Sequence, residues 1–327
     1  MSAVMSSLLR PAYTVVPWFS PRIWGSLDLS RYYPQRGPES EPIGEAWLTA
    51  DHCQLHGLPD VRLSTLVQEI PTHLFSPERT RFDHFPVLVK FLFPMDRLSV
   101  QVHPDDDYAA RHGMGRGKTE MWYVVSAQPG ARLGIGLTPG ATMQDFSRAC
   151  REGRGAELLH WFEVHAGETI FIPAGTIHAI GPDVVLCEVQ QQSDNTFRLD
   201  DYGRRDAQGR LRELHLDHGF AVARPDFGGR VENRLAAGES GLLVECPYFR
   251  VERLVQGGGE ERLLPGGEFS ILANIGGTAR LRCSEGTQPA LEIPPAHAVV
   301  LPAAAPAWTL TGPAQFLRVT VPDTRPA

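Results

Sequence analysis

Short apolar runs, broken every few residues by glycine or proline, set the pattern of this chain. Val87 to Phe93, Met121 to Val125 and Thr169 to Ile172 are examples. Runs of this length between turn residues predict β-strands, and many of them in series predict a sandwich or barrel. Apolar and polar positions alternate in Leu98-Ser99-Val100-Gln101-Val102-His103. Side chains at i and i+2 share a strand face, so Gln101 and His103 point together while Leu98, Val100 and Val102 point to the other side. Helical periodicity is sparse. Ser64 to Phe75 reads as one helix, with Leu66, Val67 and Ile70 on one face. Thr142 to Phe162 reads as one or two more, starting near Thr142 or Gln144 and interrupted at Gly153 and Gly155. The fold class that follows is mainly β with a few short helices.

One segment has an echo. Glu163 to His178 and Glu292 to Ala307 both run as a turn, a short apolar strand, a proline, a small-residue turn and another strand. Two similar β-barrels in tandem account for this. The stretch from Arg224 to Ser240, rich in Gly, Pro, Asn and charge, is the expected linker. The division predicted is 1–230 for a first unit and 231–327 for a second. His178 falls opposite Ala307, and the second half supplies no ligand cluster, so a metal is expected in the first unit only. The sequence assigns the second unit no partner, and covering the open edge of the first is the simplest role open to it.

Composition narrows the function classes. Of 327 residues, 42% are hydrophobic and 21% charged, the balance of a globular protein with real cores. A net charge of −7 argues against nucleic acid or a membrane surface as partner. No apolar run reaches the ~20 residues that span a bilayer. The segment from Met1 to Trp18 does not read as a secretory signal. The five cysteines, Cys53, Cys150, Cys187, Cys246 and Cys283, are scattered and odd in number, which predicts free thiols and a cytoplasmic location.

The candidate chemistry gathers around four residues. Gln101 and His103 share a strand face, Glu120 opens the next strand, and His178 follows the turn Pro173-Ala174-Gly175. One amide oxygen, one carboxylate and two imidazoles make a mixed set that suits zinc with an open position, although Fe, Mn, Co or Ni also accept such ligands. Lys118 shares a strand face with Glu120. His84, His112, His160 and His165 have no such partners and read as surface or packing residues.

Several motifs together resemble the type I mannose-6-phosphate isomerases, in the short bacterial form without the large helical insertion. They are Ile23-Trp24-Gly25, Gly44-Glu45-Ala46-Trp47, Phe85 to Leu92, Leu98 to Asp106 and Gly117 to Tyr123, then Ile172 to Gly181 and Glu188 to Arg198. The similarity runs from about Pro17 to Arg204. Phe197 departs from it, standing where the bacterial form often has Tyr. The resemblance implies cupin-type (jelly-roll) barrels and one zinc per chain held by Gln101, His103, Glu120 and His178. It implies substrate or transition-state roles for Lys118, Asp194 and Arg198, and a sugar phosphate as the small-molecule partner. The implied reaction interconverts mannose 6-phosphate and fructose 6-phosphate through an enediol(ate). Arg198 suits the phosphate or the enediolate, and Asp194 suits acid–base help in ring opening. Two rivals are a cupin dioxygenase, which has His where this chain has Gln101, and a non-catalytic sugar-binding cupin.

Overall fold

The computed structural model describes residues 7–77, 82–205, 208–225, 230–232, 235–285 and 289–322. The chain is mainly β, and among the described residues the strands pair antiparallel. The run Val87–Leu92 is buried at all six positions. A strand buried on both faces reads as a continuous apolar run rather than an alternation. Lys90 is the one charged residue in it, and its face is opposite to that of Val89 and Phe91.

That strand lies inside a seven-stranded sheet. In spatial order the sheet runs Arg230–Glu232, Thr169–Ile172, Glu120–Ala127, Val184–Gln191, Val87–Leu92, Ile43–Trp47, Trp18–Ser26. A five-stranded sheet accompanies it, in the order Leu159–Glu163, Arg132–Leu137, His178–Ile180, Val100–Val102, Phe197–Asp200. Leu92, Trp122, Val124, Leu133, Ile170 and Ile180 form one core drawn from both sheets.

The C-terminal half forms two more sheets. One has six strands, in the order Tyr13–Thr14, Ala298–Leu301, Ser270–Gly277, Ala314–Thr320, Arg250–Gln256, Gly241–Glu245. The other has four, Glu261–Leu264, Trp308–Thr311, Ala279–Cys283, Leu291–Ile293. The first strand of the chain is thus part of this distal sheet, with Tyr13 opposite Val300 and Thr14 opposite Val299. The echo has a structural basis. Thr169–Ile172 and Ala298–Leu301 are both four-residue strands, and the strand after each turn begins at His178 or at Trp308, next to Ala307.

The second half packs on a face of the first. Val87, Val89, Phe91, Met121, Tyr123, Cys187 and Val189 share one core cluster with Val251, Ile271, Ala273, Val300, Leu317 and Val319. The seven-stranded sheet therefore has packed neighbours on both sides. This is why its strands carry apolar residues at the outward positions where a half-exposed sheet would be polar.

The helices are shorter than the periodicity predicts. Ser64 to Phe75 is not one helix but two, Leu63–Glu69 and Pro71–Phe75. Pro71 has no N–H to continue the ladder, and it disfavours helical geometry at Ile70. Thr142 caps Met143–Arg151 through a reciprocal capping box with Asp145. That helix stops short of Phe162, because Gly153 turns left-handed and Gly155–Leu158 forms only a 3-10 turn before the strand Leu159–Glu163. Asp106–Arg111 and Leu216–Val222 are two helices the pattern did not announce. Within the expected linker, Arg230–Glu232 adds a strand to the seven-stranded sheet. Residues 226–229 and 233–234 of that linker lie outside the described set. Among the described residues, no helix is long and apolar enough to cross a membrane.

Phe91 is fully buried in the core shared by the two halves. Phe91→Ala should lower unfolding free energy by about 3–5 kcal/mol, read from denaturant midpoints. A loss below about 1 kcal/mol would mean that the two halves are not packed through this residue.

Candidate metal centre and its cavity

Sheet register explains how distant motifs meet. His178 stands opposite Gln101 on one side, and Arg198 stands opposite Gln101 on the other. Directly opposed residues share a face, so the five-stranded sheet carries His178, Gln101 and Arg198 in one row. Across from it, the seven-stranded sheet carries Glu120 opposite both Ile172 and Gln190. His103 follows immediately after its strand. The Lys118 segment is drawn to it by a hydrogen bond from Lys118 N to Pro104 O, 2.9 Å. Gly117 makes that approach possible, because a Cβ there would lie 2.5 Å from the Asp105 carbonyl carbon and the Asp106 nitrogen.

His103, Glu120 and His178 converge in the interior, with one candidate ligand atom from each lying within 4.8 Å of the others. His103 Nε2 is 3.5 Å from Glu120 Oε2, and His178 Nε2 is 3.4 Å from Glu120 Oε1. Each ring is fixed from behind. His103 Nδ1 donates to Asn195 O at 2.8 Å, and His178 Nδ1 donates to Thr176 O at 2.9 Å. A carbonyl can only accept, so both rings carry their proton on Nδ1 and present a bare Nε2 to the carboxylate. Burial is the main reason that both imidazoles titrate below their usual range, His103 down to about 3 with Lys118 adding to the effect. They are neutral at physiological pH, the form that binds a metal.

The Glu120 carboxylate is ionised. Burial is the largest influence and pushes it up, but the Lys118 ammonium 2.7 Å away, with His103 and His178 adding to it, holds the carboxyl well below the carboxylate range. His178 Nε2 and Glu120 Oε1 are buried acceptor atoms with no hydrogen-bond partner. Such atoms are costly in a protein interior unless something coordinates them. Two imidazoles and a carboxylate, with acceptors convergent and rings oriented by carbonyls, fit a metal of the zinc class. Gln101 lies beside them through its pairing with His178 and lines the adjoining cavity.

That cavity holds about 410 Å³ and is predominantly polar, lined by Gln101, Lys118, Glu188, Lys90, Asp194, Arg198 and others. Its wall contains a chain of alternating charges. Arg22 pairs with Glu45 at 2.7 Å, Glu45 with Lys90 at 3.2 Å, Lys90 with Glu188 at 3.1 Å, and Glu188 with Lys118 at 3.6 Å. Trp47 Nε1 donates to Glu45 and Trp122 Nε1 to Glu188, at 3.1 and 3.0 Å. Burial is the largest influence and works against the Lys90 charge, but Glu188, Glu45, Asp194 and Glu120 together outweigh it and raise its pKa. Glu188 is the group whose neutral form is favoured. Burial, then the neighbouring Glu120 charge, push its carboxyl up to about 7.

Ser99, Arg198 and Arg212 line the same cavity. Arg198 donates through Nη1 to Glu213 O at 2.7 Å, while its Nε is buried with no hydrogen-bond partner. Burial and the nearby Arg212 both disfavour its charge. Two guanidiniums crowded in this way attract an anion. The Arg198 backbone N–H donates to His215 Nδ1 at 3.1 Å, which requires a neutral His215.

All seven residues singled out in the sequence thus fall into this region. His103, Glu120 and His178 form its buried floor, while Gln101, Lys118, Arg198 and the exposed Asp194 line the cavity. Sequence reasoning assigned no role to Arg22, Glu45, Lys90, Glu188, Asn195 or Arg212. Lys90 and Glu188 did carry a signal, since each is a lone charge inside an otherwise apolar strand.

Comparison with known proteins gives a consistent picture. The family model for the type I phosphomannose isomerase catalytic domain matches residues 14–148. Mannose-6-phosphate isomerase ManA of Bacillus subtilis is 34% identical over 287 residues, covering 84% of this chain and 88% of the relative. The crystal structure of the mannose 6-phosphate isomerase from Bacillus subtilis superposes with a TM-score of 0.84 at 25% identity, covering 95% of this chain and 100% of that one. A mannose 6-phosphate isomerase described as holo and zinc-bound shares the fold, with a TM-score of 0.75 at 16% identity, covering 95% of this chain and 100% of that one.

Removing one charge from the buried chain strands its partners. Lys90→Met leaves Glu45 and Glu188 buried without their common cation, and should cost about 3–5 kcal/mol in equilibrium unfolding. A loss under about 1 kcal/mol would mean that water reaches and solvates those carboxylates.

Proposed function

The chain belongs to the type I phosphomannose isomerase family, and on that premise we propose that it interconverts mannose 6-phosphate and fructose 6-phosphate. The observation that carries this reading is the set of buried, unpaired acceptor atoms at His178 and Glu120 beside a polar cavity. Gln101, His103, Glu120 and His178 would hold the metal, one zinc per chain, and when bound it supplies a Lewis acid beside the sugar oxygens, typically worth several kcal/mol.

The remaining work falls to side chains of the cavity. Isomerisation removes a proton from the carbon next to a carbonyl and returns one to the neighbouring carbon. Glu188 is the best acid–base group for this transfer, because a carboxyl with a pKa of about 7 is half ionised near neutrality. As a base it accepts the C2 proton of the aldose and then delivers it to C1. The reverse reaction uses the same group. Negative charge grows on oxygen in the enediolate, and the fixed cations Lys118 and Arg198 stabilise it more in the transition state than in the ground state. Arg198, with Arg212 beside it, is the alternative anchor for the phosphate, since a guanidinium fork binds two phosphate oxygens. Asp194, at the solvent side, assists ring opening.

The fold reading that accompanies this function is two tandem cupin-type barrels, 1–230 carrying the site and 231–327 metal-free. The described cysteines are all free thiols, which suits a reducing cytoplasm. A dioxygenase is disfavoured by Gln101 in a histidine position. A mere sugar binder is disfavoured by the whole ligand set together with Lys118 and Arg198, which binding alone does not require.

A coupled assay in both directions tests the proposal, with free mannose run in parallel. Turnover of mannose 6-phosphate is expected, lost on chelation and restored by zinc. No turnover in the metal-loaded protein would reject the isomerase reading. The acid–base assignment has its own test. An ionised base is required in both directions, so kcat/KM should rise with pH through about 7 and level off above it. Glu188→Gln should lower kcat by roughly 10²–10⁴-fold and abolish that limb. A variant that keeps the limb would remove Glu188 from the proton path.

A further inference from the structure

Asn195 touches both segments that build the metal centre. Its backbone carbonyl accepts the His103 Nδ1 proton at 2.8 Å. Its side-chain Nδ2 donates to Met114 O at 2.8 Å and to Arg116 O at 2.6 Å. Both partners are carbonyl oxygens, so the side chain must present its NH2 group, and only an amide of this length can satisfy the two together. The Met114–Arg116 turn leads directly through Gly117 into Lys118 and Glu120. Ser193 reinforces the same joint, donating from Oγ to Arg116 O at 3.0 Å and accepting from Asn195 N at 3.3 Å.

The consequence is geometric. The rotation of the His103 ring depends on where the Asn195 carbonyl sits. That carbonyl is located by the side-chain bonds to the turn that carries Lys118 and Glu120. His103 follows one strand and Glu120 opens another, and one residue fixes the distance between their supports. Asp194, at the cavity wall, is the preceding residue and is located by the same anchorage.

We infer that Asn195 is a positioning residue for the metal centre, clamping the orienting carbonyl of His103 to the turn that delivers Lys118 and Glu120. This rests on the metal-centre reading of His103, Glu120 and His178. Asn195 is neither in the set of candidate ligands nor in the cavity lining. Its effect is on how tightly the preformed set binds a cation. Loss of a group that orients a ligand in this way typically lowers metal affinity 10–100-fold.

The isosteric change Asn195→Asp separates this role from simple packing. It keeps the volume but replaces the donor by acceptors facing two carbonyl oxygens. The zinc dissociation constant is measured by chelator competition on metal-free wild type and variant, with thermal unfolding of both metal-free forms as the check on folding. A 10–100-fold rise in the zinc dissociation constant, in a variant that is folded without metal, is the expected result. A folded variant that binds zinc within two-fold of wild type overturns the inference and leaves the metal-centre reading intact. Wild type that binds no zinc overturns that reading and this inference with it. Should Asn195→Asp fail to fold, Ser193→Ala loosens the same joint. A several-fold rise in its zinc dissociation constant then supports the clamp, and an unchanged value rejects it.

Discussion

A carboxylate with no access to water lies at the centre of this molecule. Glu120 is fully buried and ionised, and an isolated charge in that position would cost many kcal/mol. It persists because the Lys118 ammonium lies against it, 2.7 Å away. Lys118 in turn faces Glu188, Glu188 faces Lys90, Lys90 faces Glu45, and Glu45 faces Arg22. Each charge is tolerable because of its neighbour. The series ends at Arg22, whose side chain is about a third exposed, where water takes over the compensation. A buried ion pair is weak evidence for stability, since an apolar pair of similar shape often does as well. Its presence along a cavity wall reflects the chemistry performed there.

Such a wall requires a rigid support. The seven-stranded sheet supplies it, because both of its faces are packed. Outward positions such as Val89 and Phe91 are locked into the C-terminal half, and inward positions such as Lys90 face the site. The strand period of two separates structural from chemical side chains along the same few residues. A lysine in the middle of an apolar run is then neither an accident nor a surface residue. It is the inward member of a strand with two buried faces. The five-stranded sheet does the same for the opposite wall, where antiparallel register sets His178, Gln101 and Arg198 in one row.

Much of this was legible in the residues. Alternation at Leu98 to His103 gave the shared face of Gln101 and His103, and the echo of Glu163–His178 in Glu292–Ala307 corresponds to strands at matching offsets. Local rules did less well where a single residue interrupts a pattern. The Ser64 to Phe75 periodicity carries straight through Pro71, yet the missing N–H divides the helix there. The charged chain was not legible, because its members come from strands far apart in sequence and meet only through register. Asn195 was hidden for another reason. Its contribution to His103 is made by a backbone carbonyl, which every residue type possesses.

The strand Tyr13–Thr14 has a further meaning for the molecule as a whole. Among the described residues, Tyr13–Thr14 lies in the distal six-stranded sheet, the following strands build the sheets of the metal centre, and the later strands complete the sheet that Tyr13–Thr14 joins. The halves are therefore interleaved and not strung one after the other. Cutting the polypeptide near residue 230 would not release a tidy catalytic module. It would leave the first strand without its partner and uncover Val87, Val89, Phe91 and Tyr123 as one apolar surface, an invitation to aggregation. The two halves therefore depend on each other for burial of this surface.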